Sequence, residues 1–482
     1  MFQGTGSFAG KSLMTAAFCR ILAQDGVKVA PFKAQNMSLN SFVTADGREM
    51  ARAQVLQAQA CRLEPEIRMS PVLLKPSSDV GAQVIIDGHP VRDMHAKEYH
   101  DYRGTAEAAA HAAYDSLAAD YDAVILEGAG SPGEVNLKKQ DFVNMPMARH
   151  AQSPVLIVGD IDRGGVFASF IGTMAVLDEW EKDLVGGFLV NKFRGDASLL
   201  ADAYTYMREH TGRDVLGTVP YMHDHGLPEE DGIDRRSSWE GESGRDIDVV
   251  VIELPHGSNM TDFDALRLEP DVSLRLLRDP AQLGDPDLII IPGSKNTISD
   301  LDALRGTGMA SAIQAIAESG RARIVGICGG YQMLGQSIQD PAHIESARAD
   351  SPGLGLLALR TTMGQDKTLT QAQALHVGSG LTVRGYEIHH GETVSDGLEP
   401  VFDCSELGSS SRDGRIWGTY LHGIFDRDDF RRWFIDQLRL QKGLKPMGGI
   451  TATYDLDAGL DRVAALVREH VELDRIYGLM RL

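Results

Sequence analysis

Residues 4–12 read Gly4-Thr5-Gly6-Ser7-Phe8-Ala9-Gly10-Lys11-Ser12 and lead directly into a helical pattern over Ser12–Gln24. Glycines allow backbone N–H groups to curl towards a phosphate, and the helix N-terminus adds partial positive charge. We expect Lys11 to reach the terminal phosphates of a nucleotide and Ser12 to coordinate Mg²⁺. Thr5 and Gly10 complete a predicted phosphate-binding loop.

The spacing of this loop departs from the usual pattern, because five residues rather than four separate Gly4 from Gly10. The alternative interpretation is a glycine-rich turn at a helix start. Only Met1-Phe2-Gln3 precede the loop, which is short for a buried strand of about 5 residues. A trimmed or misassigned start would account for that shortness.

Polar residues follow several apolar runs of the first half. The run Ala123–Glu127 ends in a carboxylate followed by glycines. The carboxyl edge of a parallel sheet is where a nucleotide and Mg²⁺ bind, so we predict that Glu127 contacts the metal; the alternative is a surface carboxylate at a strand end. Asp160 and Asp162 also follow an apolar run and are weaker candidates for metal or substrate binding.

Two further segments of the first half are candidates for nucleotide binding. Lys33 lies in the polar segment Pro31–Ser41, which leaves a predicted strand, and Asn191 opens a segment, Asn191–Asp196, that resembles a nucleotide-base loop. Loops after strands of a doubly wound sheet commonly carry function. The alternative is a plain polar loop or turn in each case.

The chain alternates short apolar runs with amphipathic helical patterns, which predicts α/β domains with parallel sheets. Predicted strands of the first half are Val27–Phe32, Ala123–Glu127, Pro154–Val158 and Val185–Val190, with helices at Ser12–Gln24 and Ala106–Ala119. A second series has strands at Asp248–Leu254, Asp287–Ile291, Arg323–Cys328, Val383–Ile388 and Ile416–Tyr420. We therefore predict a nucleotide-binding domain over 1–230, a linker over 231–246, a second α/β domain over 247–440 and a helical tail over 441–482, with a helix at Leu460–Arg475.

The second half contains a candidate nucleophile. Cys328 stands between an apolar strand and a helix in Gly326-Ile327-Cys328-Gly329-Gly330, an arrangement typical of a nucleophile elbow. A thiol at a helix N-terminus gains thiolate character. His422 follows the predicted strand Ile416–Tyr420 and is the candidate base, whereas a buried structural cysteine and a lone histidine are the alternatives.

Other strand ends of the second half are candidates for an oxyanion hole and a glutamine pocket. Backbone N–H groups of Gly293, Ser294 and Gly329 are the predicted oxyanion donors. Tyr386 lies in the strand-end segment Tyr386–Gly391, which either lines the glutamine pocket or caps a strand.

Composition narrows the class of protein. The 482 residues carry a formal charge of −21, which argues against a broad nucleic-acid partner. No run of about 18 apolar residues and no signal-peptide pattern is present, so we expect a cytoplasmic location and no membrane partner. The four cysteines lie far apart, and they predict neither a zinc site nor a disulfide framework. Oligomeric state is not predicted.

Taken together, these motifs resemble the cobyric acid synthase family, the glutamine-dependent amidotransferases of cobalamin biosynthesis. The segment Lys33–Ser41 is the most family-specific of them. The resemblance implies a dethiobiotin-synthetase-like front domain and a triad-type (class I) glutamine amidotransferase domain. It implies ATP, Mg²⁺, glutamine and adenosylcobyrinic acid a,c-diamide, with amidation at side chains b, d, e and g. Because Gly423-Ile424 replace the usual Pro-Glu after the histidine, it also implies a Cys328–His422 dyad.

Rival functions share some of these motifs. A cobyrinic acid a,c-diamide synthase or a cell-wall-precursor amidoligase would carry both the elbow and the front loop. A partner-binding P-loop switch would need no nucleophile, and a free-standing glutaminase subunit would need no fused front domain. Lys75, Lys138, Lys139 and Arg163 are candidate anion contacts for a corrinoid substrate or, alternatively, solvated surface charges.

Overall fold

The computed structural model describes residues 1–78, 80–223, 225–228, 239, 241–242, 244–346 and 348–482. Most of the predicted linker, 231–246, lies outside the described residues. The front part contains these strands: β1 Phe2–Gly4, β2 Val29–Phe32, β3 Asn36–Met37, β4 Ser41–Val43, β5 Glu49–Ala51, β6 Val72–Ser78, β7 Gly81–Ile86, β8 His89–His95, β9 Ala123–Leu126, β10 Val155–Asp160, β11 Val185–Phe193 and β12 Val215–Pro220. Its helices are α1 Lys11–Gln24, α2 Arg52–Ala60, α3 Ala96–Ala118, α4 Met145–His150, α5 Val166–Val176, α6 Glu179–Leu184 and α7 Ala201–Thr211.

A parallel sheet forms the centre of this part. Strands β1, β10, β11 and β12 pair in that order, and β2 pairs with β9. A parallel bridge between Phe2 and Glu127 joins the two groups. The strands are nearly continuous apolar runs because both faces are covered. The three-residue strand β1 is buried, and its carboxyl end leads into the glycine-rich loop.

A largely antiparallel insertion, which the sequence pattern does not predict, lies between β2 and α3. Strands β3, β6, β7 and β8 form one sheet in that order, and β4 pairs with β5. Helix α3 begins ten residues before the predicted start at Ala106, at a capping box between His95 and Glu98. The insertion contacts the back half of the chain, where Lys367 Nζ donates to Glu49 Oε2 over 2.6 Å.

The back part has its own sheet. Its strands are β13 Ile247–Ile252, β14 Gly257–Ser258, β15 Val272–Leu277, β16 Leu288–Ile291, β17 Gly293–Ser294, β18 Arg323–Ile327, β19 Ser337–Gln339, β20 Asp350–Pro352, β21 Leu359–Leu375, β22 Thr382–Ser395, β23 Glu399–Pro400, β24 Gly408–Ser410 and β25 Ile416–Thr419. Its helices are α8 Asp264–Arg267, α9 Thr297–Thr307, α10 Met309–Ser319, α11 Gly329–Met333, α12 Asp428–Gln441, α13 Leu456–His470 and α14 Leu473–Met480.

The central strands of this sheet run in the order β15-β13-β16-β18-β25 and pair in parallel, as predicted. The predicted strand Val383–Ile388 differs, because it belongs to the long antiparallel hairpin β21–β22 outside the main sheet. This hairpin reaches the front part, where Tyr386, Ile388 and Val43 form a small apolar cluster. No helix in the described ranges is long and apolar enough to cross a membrane.

The C-terminal tail returns to the front part. Helix α13 packs against α1, with Leu460, Val463 and Val467 buried among its apolar side chains. The predicted single helix Leu460–Arg475 is interrupted at Val471, which is extended and forms an antiparallel bridge to Gly217 of β12. An extended residue can add a hydrogen bond at the sheet edge, and here Glu472 N donates to Leu216 O over 2.8 Å. The tail therefore covers the front sheet.

Candidate functional site

The glycine-rich loop forms a tight cradle between β1 and α1. Gly10 has φ +94°, and a Cβ there would overlap the side-chain amide of Asn191. Asn191 Nδ2 donates to Ala9 O over 3.0 Å, and Lys192 Nζ donates to Phe8 O over 2.9 Å. Thr5 N donates to Val158 O of the neighbouring strand, over 3.0 Å. The predicted nucleotide-base segment thus contacts the back of the loop and fixes its shape.

Ser12 and Glu127 meet at the carboxyl edge of the sheet. Ser12 Oγ donates to Glu127 Oε1 over 2.6 Å, and Lys33 Nζ donates to the same oxygen over 2.7 Å. Gln57 Nε2 donates to Glu127 Oε2 over 2.5 Å. Burial alone would raise the pKa of Glu127, but Lys33 and these hydrogen bonds outweigh it and lower that pKa. The structure thus brings the predicted residues Ser12 and Lys33 together at the buried carboxylate of Glu127.

Lys11 and the two aspartates lie close by. Lys11 Nζ donates to Gly6 O over 3.0 Å, so it curls over the loop where phosphates would lie. Asp160 accepts a hydrogen bond from Lys192 at 2.9 Å, and Asp162 accepts one from Arg194 at 2.9 Å. In the described ranges no group of three or more His, Cys, Asp or Glu side chains could hold a metal. Ser12 and Glu127 suit Mg²⁺, which typically takes one or two protein oxygens together with phosphates and water.

A cavity of about 350 Å³ opens beside this loop. Gly10, Ser12 and Asn191 line one side, and Val463 and Val467 of α13 line another. The lining also includes Thr261, which belongs to the back part. The tail and the back domain therefore both contribute walls to the predicted nucleotide pocket.

Cys328 occupies a strained turn between β18 and α11. Its φ of 51° and ψ of −108° are unusual for a residue with a side chain. A Cβ at Gly326 would lie 2.6 Å from the backbone carbon of Gly330, and one at Gly330 would overlap the Ile291 carbonyl. Only glycines fit this close approach of strand and helix, which explains the run around the cysteine. The thiol is buried, and its Sγ lies 3.7 Å from Ile388 O.

The buried His422 ring lines the same cavity as Cys328 and has a second partner, Asp262, that the sequence pattern does not predict. His422 Nδ1 lies 2.6 Å from Asp262 Oδ2, and Gly423 N donates to Asp262 Oδ1 over 3.0 Å. Burial disfavours the charged ring, but Asp262 and Cys328 outweigh it and raise the pKa of His422 to about 10. The dyad implied by the resemblance is thus extended to a Cys328–His422–Asp262 arrangement.

A sequence signal for Asp262 existed. It lies in the polar segment that follows β13, and the carboxyl ends of β13, β18 and β25 meet at one edge of the parallel sheet. Polar loops at that edge are the usual location of catalytic groups. The pairing of residue 262 with residue 422 could not be predicted from local pattern, because the two residues lie far apart in the sequence.

The predicted oxyanion donors lie close to one another. A Cβ on Gly329 would lie 2.9 Å from Ser294 N, and one on Gly293 would lie 3.3 Å from His422 Cε1. Ser294 Oγ donates to Asp300 over 2.6 Å, which fixes the turn that carries these N–H groups. Both backbone segments therefore border the space in front of Cys328.

Tyr386 lies behind His422 rather than in the cavity of Cys328. Its ring stacks on the imidazole at 5.3 Å between centroids, and the two residues exchange backbone hydrogen bonds. Its hydroxyl donates to Ser41 O over 2.9 Å and accepts from Asn259 Nδ2 over 3.1 Å. Tyr386 is therefore placed to support the histidine and to connect it with the front part.

The cavity that contains Cys328 lies at the junction of the two halves. Its lining includes Lys295 and Lys367 of the back part and Lys75 of the front part. The buried carboxylate of Glu49 accepts from Lys75 at 2.9 Å and from Lys367 at 2.6 Å. Burial lowers the pKa of Lys367 to about 8, with Glu49 partly opposing that effect. The candidate anion contact Lys75 is thus a buried interdomain residue, not a solvated charge.

Comparison with known proteins gives the family. A model described as a CobQ/CobB/MinD/ParA nucleotide binding domain matches residues 1–232, and one described as a CobB/CobQ-like glutamine amidotransferase domain matches residues 248–430. A cobyric acid synthase of Nitratidesulfovibrio vulgaris is 54% identical over 100% of this chain and 97% of its own length. One from Salmonella typhimurium is 47% identical over 100% of this chain and 98% of its own length.

A third relative contains the same unit within a longer protein. The adenosylcobalamin biosynthesis bifunctional protein CobDQ of Leptospira interrogans is 50% identical over 99% of this chain and 56% of that protein. The two cobyric acid synthases match this chain over nearly their whole length, and a family model matches each half of the chain. The chain therefore belongs to the cobyric acid synthase family, the glutamine-dependent amidoligases that amidate cobyrinic acid side chains in cobalamin biosynthesis.

Proposed function

We propose that this enzyme uses ATP, Mg²⁺ and glutamine to amidate the b, d, e and g carboxylates of adenosylcobyrinic acid a,c-diamide. One observation carries the proposal: a side chain of the nucleotide-binding domain, Lys75, lines the cavity of the candidate nucleophile Cys328. Nitrogen released from glutamine would therefore start its path in a back-domain cavity that the front domain borders. The predicted cytoplasmic location is part of the same proposal.

In the back domain, the Cys328 thiolate attacks the carboxamide carbon of glutamine while imidazolium His422 faces the leaving nitrogen. The tetrahedral oxyanion is stabilised by N–H groups at Gly293, Ser294 and Gly329. The C–N bond breaks, His422 gives a proton to the nitrogen, and ammonia leaves a glutamyl thioester. Water then attacks the thioester with His422 as base, which releases glutamate. Asp262 orients the ring and favours its charged form.

In the front domain, a corrinoid carboxylate attacks the terminal phosphorus of ATP and releases ADP. Lys11 offsets charge on the transferred phosphoryl group. Ser12 and Glu127 would hold Mg²⁺, which supplies further neutralisation of phosphate charge when bound. Ammonia then attacks the acyl phosphate, phosphate leaves, and the amide loses a proton to solvent. Activation is needed because a free carboxylate is a poor acyl acceptor.

A mass-spectrometric assay tests the proposed substrate. The enzyme is incubated with cobyrinic acid a,c-diamide, ATP, Mg²⁺ and glutamine. Because each amidation replaces a hydroxyl with an amino group, the corrinoid should lose about one mass unit per step, in four steps. An unchanged corrinoid mass with glutamine still converted to glutamate would contradict the proposed acceptor and redirect attention to the other amidoligase substrates.

Cys328→Ala separates the two half-reactions. We expect it to abolish amidation with glutamine and to preserve ATP-dependent amidation with added ammonium, because the front site contains no thiol chemistry. Cys404→Ala, at an exposed cysteine, is the matched control and should retain both activities. Loss of ammonium-dependent amidation in a folded Cys328→Ala enzyme would count against two separable sites.

Lys11→Ala tests the formation of the acyl phosphate, the step that amidation with glutamine and amidation with ammonium share. Since both nitrogen sources need the acyl phosphate, we expect amidation with glutamine and with ammonium to fall together, by roughly 10²-fold or more. Lys97→Ala, at an exposed lysine of α3, serves as control. A normal amidation rate in Lys11→Ala would remove the phosphate cradle from the mechanism.

Asp262→Asn tests the third partner of His422. Without the carboxylate charge the pKa of His422 should fall, so the imidazolium is lost at lower pH and the alkaline limb of glutamine hydrolysis moves to lower pH. We also expect kcat to fall by roughly 10²-fold or more. Asp350→Asn, at an exposed aspartate of the same domain, is the control. An unshifted alkaline limb would show that Asp262 does not act through His422.

A further inference from the structure

The front domain contains a second, larger cavity on the far side of the β6–β7 ribbon. Its volume is about 720 Å³, within the roughly 300–1,000 Å³ typical of ligand sites. Its walls are the antiparallel sheet, the start of α3 and the segment 129–144 that follows β9. We call it the acceptor cleft.

The floor of the acceptor cleft is apolar because of strand alternation. Leu74 pairs with Val84 across β6 and β7, and Pro76 pairs with Ala82, so these side chains share one face. All four line the cleft. The intervening pair, Lys75 with Gln83, points to the opposite face, where Lys75 bonds Glu49. The same ribbon thus presents apolar side chains to the cleft and polar ones to the glutaminase cavity.

The rim of the cleft exposes large apolar side chains. Met37 is 60% exposed, Val80 62% and Leu137 50%, and all three line the cleft. Exposed apolar side chains grouped around one cavity indicate a binding site. A large ligand with an apolar face would cover it.

One cation in the cleft suits a substrate carboxylate. Arg103 lines the wall, and its Nη1 donates to Lys139 O over 3.0 Å. Within the described part of the chain, no carboxylate lies within ion-pair distance of its guanidinium. By contrast, Lys138, a candidate anion contact from the sequence, already pairs with Asp178 at 3.0 Å and Glu181 at 2.7 Å. The guanidinium of Arg103 is therefore available to pair with a carboxylate of a ligand.

Two segments that line the cleft lead directly from residues of the phosphate site. Ala129 lines it two residues after Glu127, whose carboxylate bonds Ser12. Gln35 lines it two residues after Lys33, which bonds the same carboxylate. A ligand in the cleft therefore lies next to the position expected for the terminal phosphate of a nucleotide.

We propose that the acceptor cleft binds the corrin macrocycle of the substrate, with one face of the ring on the β6–β7 floor, a non-reacting carboxylate on Arg103 and the reacting carboxylate directed towards Ser12 and Glu127. This assignment rests on the proposed corrinoid substrate. An apolar floor with few directional contacts accepts the ring in several orientations. A single phosphoryl site needs that tolerance if it is to serve four different carboxylates.

The test measures corrinoid affinity directly. Met37→Glu and Leu137→Glu place a negative charge on the exposed rim, and Arg103→Gln removes the cation. The dissociation constant of cobyrinic acid a,c-diamide is measured by equilibrium dialysis, with the visible absorbance of the corrin as readout and no ATP. We expect each variant to bind about tenfold or more weakly, with Arg103→Lys closer to wild type than Arg103→Gln. ATP affinity and glutamine hydrolysis should be unchanged.

Leu199→Glu, at a side chain that is 80% exposed and outside the cleft, is the matched control. The cleft assignment would be overturned if both rim variants and Arg103→Gln bound the corrinoid with wild-type affinity while the enzyme still amidated it. That result would leave the proposed function intact. A wild-type enzyme that neither binds nor amidates the corrinoid would instead overturn the proposed function, and the cleft assignment with it.

Discussion

The two halves of the molecule are fixed together by a buried ionic contact. Glu49 of the front domain is fully buried, and its carboxylate lies between Lys75 of the same domain and Lys367 of the back domain. Burial by itself would raise the pKa of Glu49, but the two lysines reverse that effect. Breaking a buried ion pair is costly, so the contact between Lys367 and Glu49 holds the hairpin that carries Lys367 against the front domain. That requirement keeps the cavity of Cys328 closed against the insertion.

The same interface also reaches the candidate catalytic acid. Asn40 Oδ1 accepts from Met260 N at 3.0 Å, and Asn259 Oδ1 accepts from Ser41 N at 3.1 Å. These reciprocal bonds hold the loop just before Asp262, and Thr261 in that loop lines the nucleotide cavity. A displacement of the front domain would therefore move the loop that carries Asp262, the partner of His422. The loop that carries Asp262 therefore contacts both the front domain and the nucleotide cavity.

The segment Lys33–Ser41 connects all of these regions, which accounts for its dense polar composition. Lys33 neutralises Glu127 beside the phosphate loop, Met37 lies on the rim of the acceptor cleft, and Asn40 and Ser41 contact the back domain. Because successive residues of an extended chain point to opposite sides, one short segment can serve several sites. Local composition identified it only as a polar loop, since its partners come from distant parts of the sequence.

The sequence by itself determined the features that depend on local chemistry. Glycines at the phosphate loop and around Cys328, apolar runs ending in polar residues, and the alternation of strands and helices were sufficient to predict two α/β domains and the edges where Ser12, Glu127, Cys328 and His422 lie. Only the tertiary structure decided the long-range pairings: Asp262 with His422, Tyr386 with Ser41, the tail helix on α1, and the two-faced β6–β7 ribbon between the glutaminase cavity and the acceptor cleft. Periodicity and spacing report which face a residue occupies, but not which distant residue meets it there.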